Sequence, residues 1–103
     1  MNKIINNIDI EPEYLEIIYS IFANYLPYKE IWAYGSRVKK TANKRSDLDC
    51  VVFNATDLEI YNAKEALDNS EIPFIIQLLR WEKLPEDFKI NIKEKYFILQ
   101  KEK

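Results

Sequence analysis

Apolar residues alternate between helical and extended spacing along this chain, and that alternation constrains the fold more than any single motif. The first segment is helical, because its apolar residues recur every three or four positions and a proline suits its first turn. We predict this helix over residues 12–25, ending before Pro27. The short aromatic segment 30–34 then predicts the first strand.

The remaining segments continue this alternation. The further predicted elements are a strand over 48–53, a helix over 56–69, a strand over 74–79, a helix over 84–95 and an extended piece over 96–99. Thr56 and Glu59 form the Thr-x-x-Glu pattern of a capping box, which marks the start of the second long helix. The order predicts an α/β or α+β fold, with a small mixed sheet of three or more strands and helices mainly on one face.

Composition restricts the chemistry of this domain. The chain has 103 residues, 48% hydrophobic and 31% charged, which is the profile of one small globular domain. It has no histidine, so Ser-His and Cys-His nucleophilic mechanisms and the usual zinc sites are excluded. A bound metal is therefore expected to be a hard cation held by carboxylates.

Net charge and cysteine content indicate the compartment and the partners. The net charge of −2 provides no overall basic field for a nucleic-acid backbone. The single cysteine, Cys50, cannot form an internal disulfide, and no apolar run reaches the length of a membrane span. We therefore expect a cytoplasmic protein with no membrane partner and no strong signal for nucleic-acid binding.

Gly35 and Ser36 follow the first predicted strand and can begin a short helix. Glycine permits a close approach of the backbone to a ligand, and Gly35 is the only glycine in the chain. Free N–H groups at a helix start, together with the Ser36 hydroxyl, can bind phosphate oxygens. Taken alone, however, a Gly-Ser pair is better explained as an ordinary turn.

Asp47 and Asp49 stand at the mouth of the second predicted strand. Because side chains alternate along a strand, both carboxylates point to the same face. Mg²⁺ binds one or two carboxylates together with waters and substrate phosphates. An isolated Asp-x-Asp pair is more often a solvated strand start, but the apolar run 50–53 makes a charge at Asp49 costly without a partner.

The two motifs occur together as GSRVKKTANKRSDLD over residues 35–49. This segment resembles the signature of the polymerase-β-type nucleotidyltransferase superfamily. The resemblance is closest to the minimal nucleotidyltransferases, small bacterial and archaeal proteins often paired with a HEPN-domain toxin. It covers nearly the whole chain and implies a single domain, residues 1–103, with the nucleotidyltransferase fold.

The resemblance implies a role for each matching residue. Gly35 and Ser36 would hold the triphosphate of a nucleotide, with ATP as the expected one. Asp47 and Asp49 would bind Mg²⁺ as catalytic carboxylates. Arg37 would either touch a phosphate or remain a solvated helix charge. The reaction would be in-line attack of an acceptor oxygen on the α-phosphorus, with pyrophosphate leaving.

The third predicted strand departs from the family pattern. Relatives carry a third catalytic carboxylate where this chain has Gln77, and a second acidic residue where it has Arg80. An amide has no charge and cannot act as a base. Two interpretations stay open: a degenerate transferase that works by binding a partner, or an active one that uses Glu82 or water as a weaker substitute.

Three functions are consistent with this pattern. The first is an antitoxin-type protein that caps a HEPN-domain partner or transfers AMP to it, in a hetero- or homo-oligomer. The second is a free-standing transferase that modifies a small molecule, and the third is a nucleotide-sensing module. The short chain favours the first, because we find no acceptor-binding domain in it.

Overall fold

The computed structural model describes residue 4 and residues 7–102. The helices are α1 (Pro12–Tyr25), α2 (Ser36–Lys39), α3 (Asp57–Asp68) and α4 (Glu86–Glu94). The strands are β1 (Ile31–Tyr34), β2 (Leu48–Val52), β3 (Ile76–Arg80) and β4 (Phe97–Gln100), and a 3-10 turn spans Trp81–Lys83. The predicted strands and long helices are confirmed, with ends displaced by two residues at most.

The strands form one mixed sheet in the order β3-β2-β1-β4. The central strand β1 is antiparallel to both β2 and β4, whereas β3 is parallel to β2. A parallel neighbour requires a crossover connection, and α3 provides it between β2 and β3. This topology brings the starts of β2 and β3 to the same edge of the sheet, beside the end of β1.

Helices α1 and α3 cover one face of the sheet. Ile18 and Phe22 of α1 are fully buried, and Ala63 and Leu67 of α3 belong to the same apolar core. The predicted capping box is present, since the Thr56 side chain accepts from the Glu59 backbone and the Glu59 side chain accepts from the Thr56 backbone. This cap satisfies backbone donors where α3 begins.

Helix α4 covers part of the opposite face, so the helices are not all on one side. Val51, Ile92 and Tyr96 form a second, smaller core there, with Trp32 stacked on Tyr96 at a centroid distance of 4.0 Å. Asp49 lies two residues before Val51 and therefore shares this face. Within the part of the chain that the structure describes, no helix has the length and apolar character of a bilayer span.

Candidate functional site

Gly35 and Asp49 are in close contact where β1 ends and α2 begins. Gly35 is the N-cap of α2 and has a φ of 84°, a conformation that other residues adopt with strain. A Cβ atom at this position would lie 2.7 Å from Oδ2 of Asp49, which is inside the contact limit of real atoms. Glycine is therefore favoured here by the backbone conformation, and the carboxylate of Asp49 also occupies the space that a side chain would need.

The strand register brings the predicted catalytic residues together. Asp49 pairs with Tyr34 on one side and with Gln77 on the other. Asp47 lies one residue before β2, and its Oδ2 accepts a hydrogen bond from Nε2 of Gln77 at 3.1 Å. Gln77 thus lies beside the aspartate pair, and its amide meets Asp47 as a hydrogen-bond donor.

The electrostatics of this cluster show an excess of negative charge. Burial raises the pKa of Asp49, and the neighbouring charge of Asp47 raises this pKa further. Burial, followed by the charges of Asp49 and Cys50, raises the pKa of Tyr34 to about 12. Tyr34 therefore keeps its proton at neutral pH, and a bound cation would relieve the repulsion between the two aspartates.

The donor set fits a magnesium ion that is bound together with a substrate. Asp47 and Asp49 present two carboxylates on one face, and Mg²⁺ commonly uses one or two carboxylates plus substrate phosphates. Among the residues described, no group of three His, Cys, Asp or Glu side chains is placed to hold a metal ion. Phosphate oxygens held near Gly35 and Ser36 would have to complete the coordination.

Arg37 occupies an environment that excludes one of its two sequence interpretations. Its side chain is buried, with 4% of its surface exposed, so the expectation of a solvated helix charge is wrong. The guanidinium donates to the backbone carbonyls of Asp9, Lys44 and Ser46. Contact between Arg37 and a phosphate stays a prediction. Most of the guanidinium N–H groups already donate to carbonyls of the protein.

Glu82 cannot replace the third carboxylate. It lies in the 3-10 turn after β3, and its Oε2 accepts from the backbone N–H of Asn54 at 3.0 Å. Because β2 and β3 are parallel, this is the edge of the sheet opposite the aspartate pair. The interpretation that used Glu82 as a substitute is wrong, since the length of β3 separates the two groups.

A cavity of about 870 Å³ opens beside Gly35. Tyr34 and Phe88 line it, edge to face at 5.8 Å between ring centroids, and the lysines Lys39 and Lys95 line it as well. Phe88 belongs to α4 and Lys39 to α2, so the two helices face each other across this cavity. The sequence pattern could not place them there, because their relative position depends on how α4 crosses the sheet.

Comparison with known proteins identifies the family. Residues 16–103 match the family described as "Polymerase beta, Nucleotidyltransferase". This chain belongs to that family. A Haemophilus influenzae protein, described as probable protein adenylyltransferase MntA, is 36% identical over 96 residues. The match covers 90% of this chain and 84% of that protein, so the chain is a minimal nucleotidyltransferase.

A solved structure agrees with this fold. The crystal structure of a toxin-antitoxin with AMP-PNP contains a chain that superposes with a TM-score of 0.70 at 15% identity. The match covers 84% of this chain and 73% of the other. At this identity the likeness concerns the fold. The Gly35–Ser36 and Asp47–Asp49 motifs lie inside the region that matches the nucleotidyltransferase family.

Proposed function

We propose that this minimal nucleotidyltransferase binds Mg²⁺-ATP and acts on a HEPN-domain toxin, by capping it and by slow transfer of AMP to it. The observation that carries this proposal is the contact between the Asp49 carboxylate and Gly35, with Asp47 on the same face. A carboxylate pair placed against a helix start can hold a cation and a polyphosphate side by side.

Each residue of the site has a defined part in this function. Backbone N–H groups at Gly35 and Ser36 bind and orient the triphosphate, so that the α-phosphorus faces the acceptor. Asp47 and Asp49 hold Mg²⁺, which supplies electrostatic stabilisation of the developing charge. In the transfer, an acceptor oxygen forms a bond to the α-phosphorus, the bond to pyrophosphate breaks, and the hydroxyl proton passes to solvent.

Gln77 makes the transfer slow. Its Nε2 donates to Asp47, and its carbonyl oxygen is a neutral acceptor that takes up no proton at neutral pH. The site therefore has no base at this position and one negative charge fewer than three carboxylates would provide. Glutamine in place of a carboxylate at this position affects the transfer step more than it affects nucleotide binding. This favours a protein that acts mainly by binding its partner.

The proposal of a protein partner rests on the related proteins and on exposed tyrosine side chains. The related Haemophilus influenzae protein is described as acting on proteins, and the structural neighbour is part of a toxin-antitoxin. Tyr19 and Tyr28 are 39% and 66% exposed, and exposed tyrosines are enriched at protein interfaces. Tyr14 is not available in the same way, because it is partly buried edge-on against Phe74.

Incubation with α-labelled ATP, Mg²⁺ and the protein encoded by the neighbouring gene tests this function. We expect a stable complex, nucleotide binding that depends on Mg²⁺, and slow appearance of label on the partner. Asp47→Asn is the matched control and should abolish the label. A parent protein that binds neither ATP nor the partner would overturn the proposal, and label on a small-molecule acceptor alone would replace it with a free-standing transferase.

A further inference from the structure

Arg37 is buried behind the loop that precedes Asp47. Its Nε donates to the carbonyl of Ser46 at 2.9 Å, Nη2 to that of Lys44 at 3.1 Å, and Nη1 to that of Asp9 at 2.7 Å. The guanidinium carbon lies 3.9 Å from the centroid of the Phe74 ring. One side chain thus joins the loop that contains Lys44 and Ser46 to the segment around Asp9, over an aromatic surface.

We propose that Arg37 is a positioning residue for Asp47. Ser46 directly precedes Asp47, so the bond from Nε fixes the peptide that carries the metal-binding carboxylate. The bond to Lys44 holds the preceding turn, and the hydrogen bond from Gln77 holds the carboxylate itself. The effect of Arg37 on nucleotide binding rests on the function proposed above. Its effect on the order of the loop is independent of that function.

The loop that Arg37 holds has little other support. Asn43, Lys44 and Arg45 are exposed. Apart from Arg37, the described contacts within this loop, residues 43–46, are local. The Asn43 N–H donates to Oγ of Ser46, the Ser46 N–H donates to the carbonyl of Asn43, and the Arg45 N–H donates to Oδ1 of Asn43. Such turns order neighbouring residues but do not attach the loop to the core. The bonds from the buried guanidinium provide that attachment.

The same side chain ties the loop to the start of the described chain. Asp9 donates its N–H to the carbonyl of Arg37 at 2.9 Å while its own carbonyl accepts from Nη1. Ile8 and Ile10, on either side of it, are each 9% exposed. Arg37 is therefore anchored on two sides, and its position does not depend on the loop that it orders.

Only arginine has the geometry for this role. Its rigid planar fork directs donors to several carbonyls at once, while a lysine ammonium on a flexible stem cannot satisfy the same set. Arg37→Lys therefore separates two possible roles. A residue that contacts a phosphate through its charge keeps part of its effect as lysine, whereas a residue that positions Asp47 loses it.

The test compares Arg37→Lys and Arg37→Gln with Arg45→Lys, an exposed control in the same loop. Backbone amide hydrogen exchange of residues 44–47 is measured first, and calorimetric Mg²⁺-ATP affinity second. We expect both Arg37 variants to exchange about tenfold faster in this loop, because bonds to a charged group are lost. Both should bind Mg²⁺-ATP about tenfold more weakly, as when a supporting partner of a metal ligand is removed. The control should match the parent in both.

A double-mutant cycle shows whether Arg37 acts through Asp47. In an Asp47→Asn background, Arg37→Lys should cause no further loss of nucleotide affinity, because the group it positions is already gone. Additive losses, or near-parental affinity of Arg37→Lys beside a weak Arg37→Gln, would mean direct phosphate contact and would overturn the inference. Unchanged amide exchange in the Arg37 variants would overturn it as well.

Two provisions keep the result decisive. If the Arg37 variants do not fold, Phe74→Leu removes the ring beneath the guanidinium and should speed exchange of the same amides to a smaller extent. Unchanged exchange in that variant would then count against the inference. If the parent fails to bind Mg²⁺-ATP, the proposed function fails, while the exchange measurement still decides whether Arg37 orders the loop before Asp47.

Discussion

Two carboxylate clusters lie at opposite ends of the parallel β2–β3 pair, and they have opposite electrostatic character. At one end Asp57 accepts hydrogen bonds from Lys83 at 3.0 Å and from Arg80 at 3.1 Å. These contacts, with that of Lys83 the largest, lower the pKa of Asp57. At the other end burial, and then the charge of Asp47, raise the pKa of Asp49.

The difference separates a structural cluster from the candidate ligand site. Asp57 is neutralised by cations of its own chain, so its contacts are complete in the folded protein. The Asp47–Asp49 pair meets an amide from Gln77 and the backbone at Gly35, neither of which carries a charge. The Arg37 cation is near enough to interact with Asp47, but its described hydrogen bonds all go to backbone carbonyls and none to the carboxylates. Carboxylates that repel each other and are partly buried are characteristic of functional sites, because a ligand compensates them.

The largest effect is expected from removing the charges of the site. Asp47→Asn combined with Asp49→Asn takes away both anionic ligands, so Mg²⁺-dependent ATP affinity should fall more than about 100-fold. Asp57→Asn makes the same chemical change at the other end of β2 and should leave the affinity unchanged. Calorimetry with ATP, with and without Mg²⁺, measures both. Unchanged ATP binding in the double variant would mean that the Asp47–Asp49 cluster is structural, like the cluster at Asp57.

The next effect concerns the charge that the site lacks. Gln77→Asp supplies a base and a third carboxylate beside Asp47, so AMP transfer to the partner should rise about 10- to 100-fold. Gln77→Asn is the control, because it has the shape of the aspartate without its charge. Label transfer from ATP measures the rate, and partner affinity measured in parallel should change little. A parent that transfers as fast as Gln77→Asp would contradict the degenerate-site interpretation.

The smallest effect is on stability, and its sign should differ between the clusters. The folded-state pKa of Asp49 is raised, so ionisation destabilises the fold at neutral pH and this penalty disappears as pH falls towards 3.8. Asp49→Asn should therefore raise Tm by a few degrees at pH 7 and by less at pH 4. Thermal denaturation by circular dichroism across this range measures the difference.

For Asp57 the opposite holds. Its folded-state pKa is lowered, so its contribution is fully present above the unfolded value of 3.8 and is lost only below it. Asp57→Asn should lower Tm at pH 7 and at pH 4 alike, by a few degrees at most because the pair is exposed and screened. If the change in Tm depended on pH in the same way for the Asp49 and Asp57 variants, the proposed electrostatic difference between the two clusters would be wrong.

Local signals predicted most of the fold. Pro12, Pro27 and the Thr56–Glu59 capping box mark helix ends through contacts within a few residues, so the boundaries of α1 and α3 lie close to the predicted ones. The shared face of Asp47 and Asp49 follows from strand alternation alone. Helix α4 was harder to place, since an amphipathic helix can pack on either face of a sheet that is apolar on both.

The side chains with long reach were predicted least well. Glu82 was considered as a substitute carboxylate because it follows β3 in sequence, yet the parallel pairing puts it at the wrong edge of the sheet. Arg37 was expected to contact a phosphate or solvent because it follows Gly35 and Ser36. Its burial depends on Asp9 and Phe74, which are distant in sequence, and on how the nearby loop at Lys44 folds back, and none of these could be assigned to it beforehand.

The sequence by itself determined the elements, the family and the residues of the candidate site, because periodicity, caps and the spacing from Gly35 to Asp49 are properties of nearby positions. Only the tertiary structure decided how those residues meet. Strand register set Gln77 against Asp47 and the Asp49 carboxylate against Gly35, and packing buried Arg37 behind the loop. Register and packing depend on contacts between distant segments, which no local pattern in the sequence specifies.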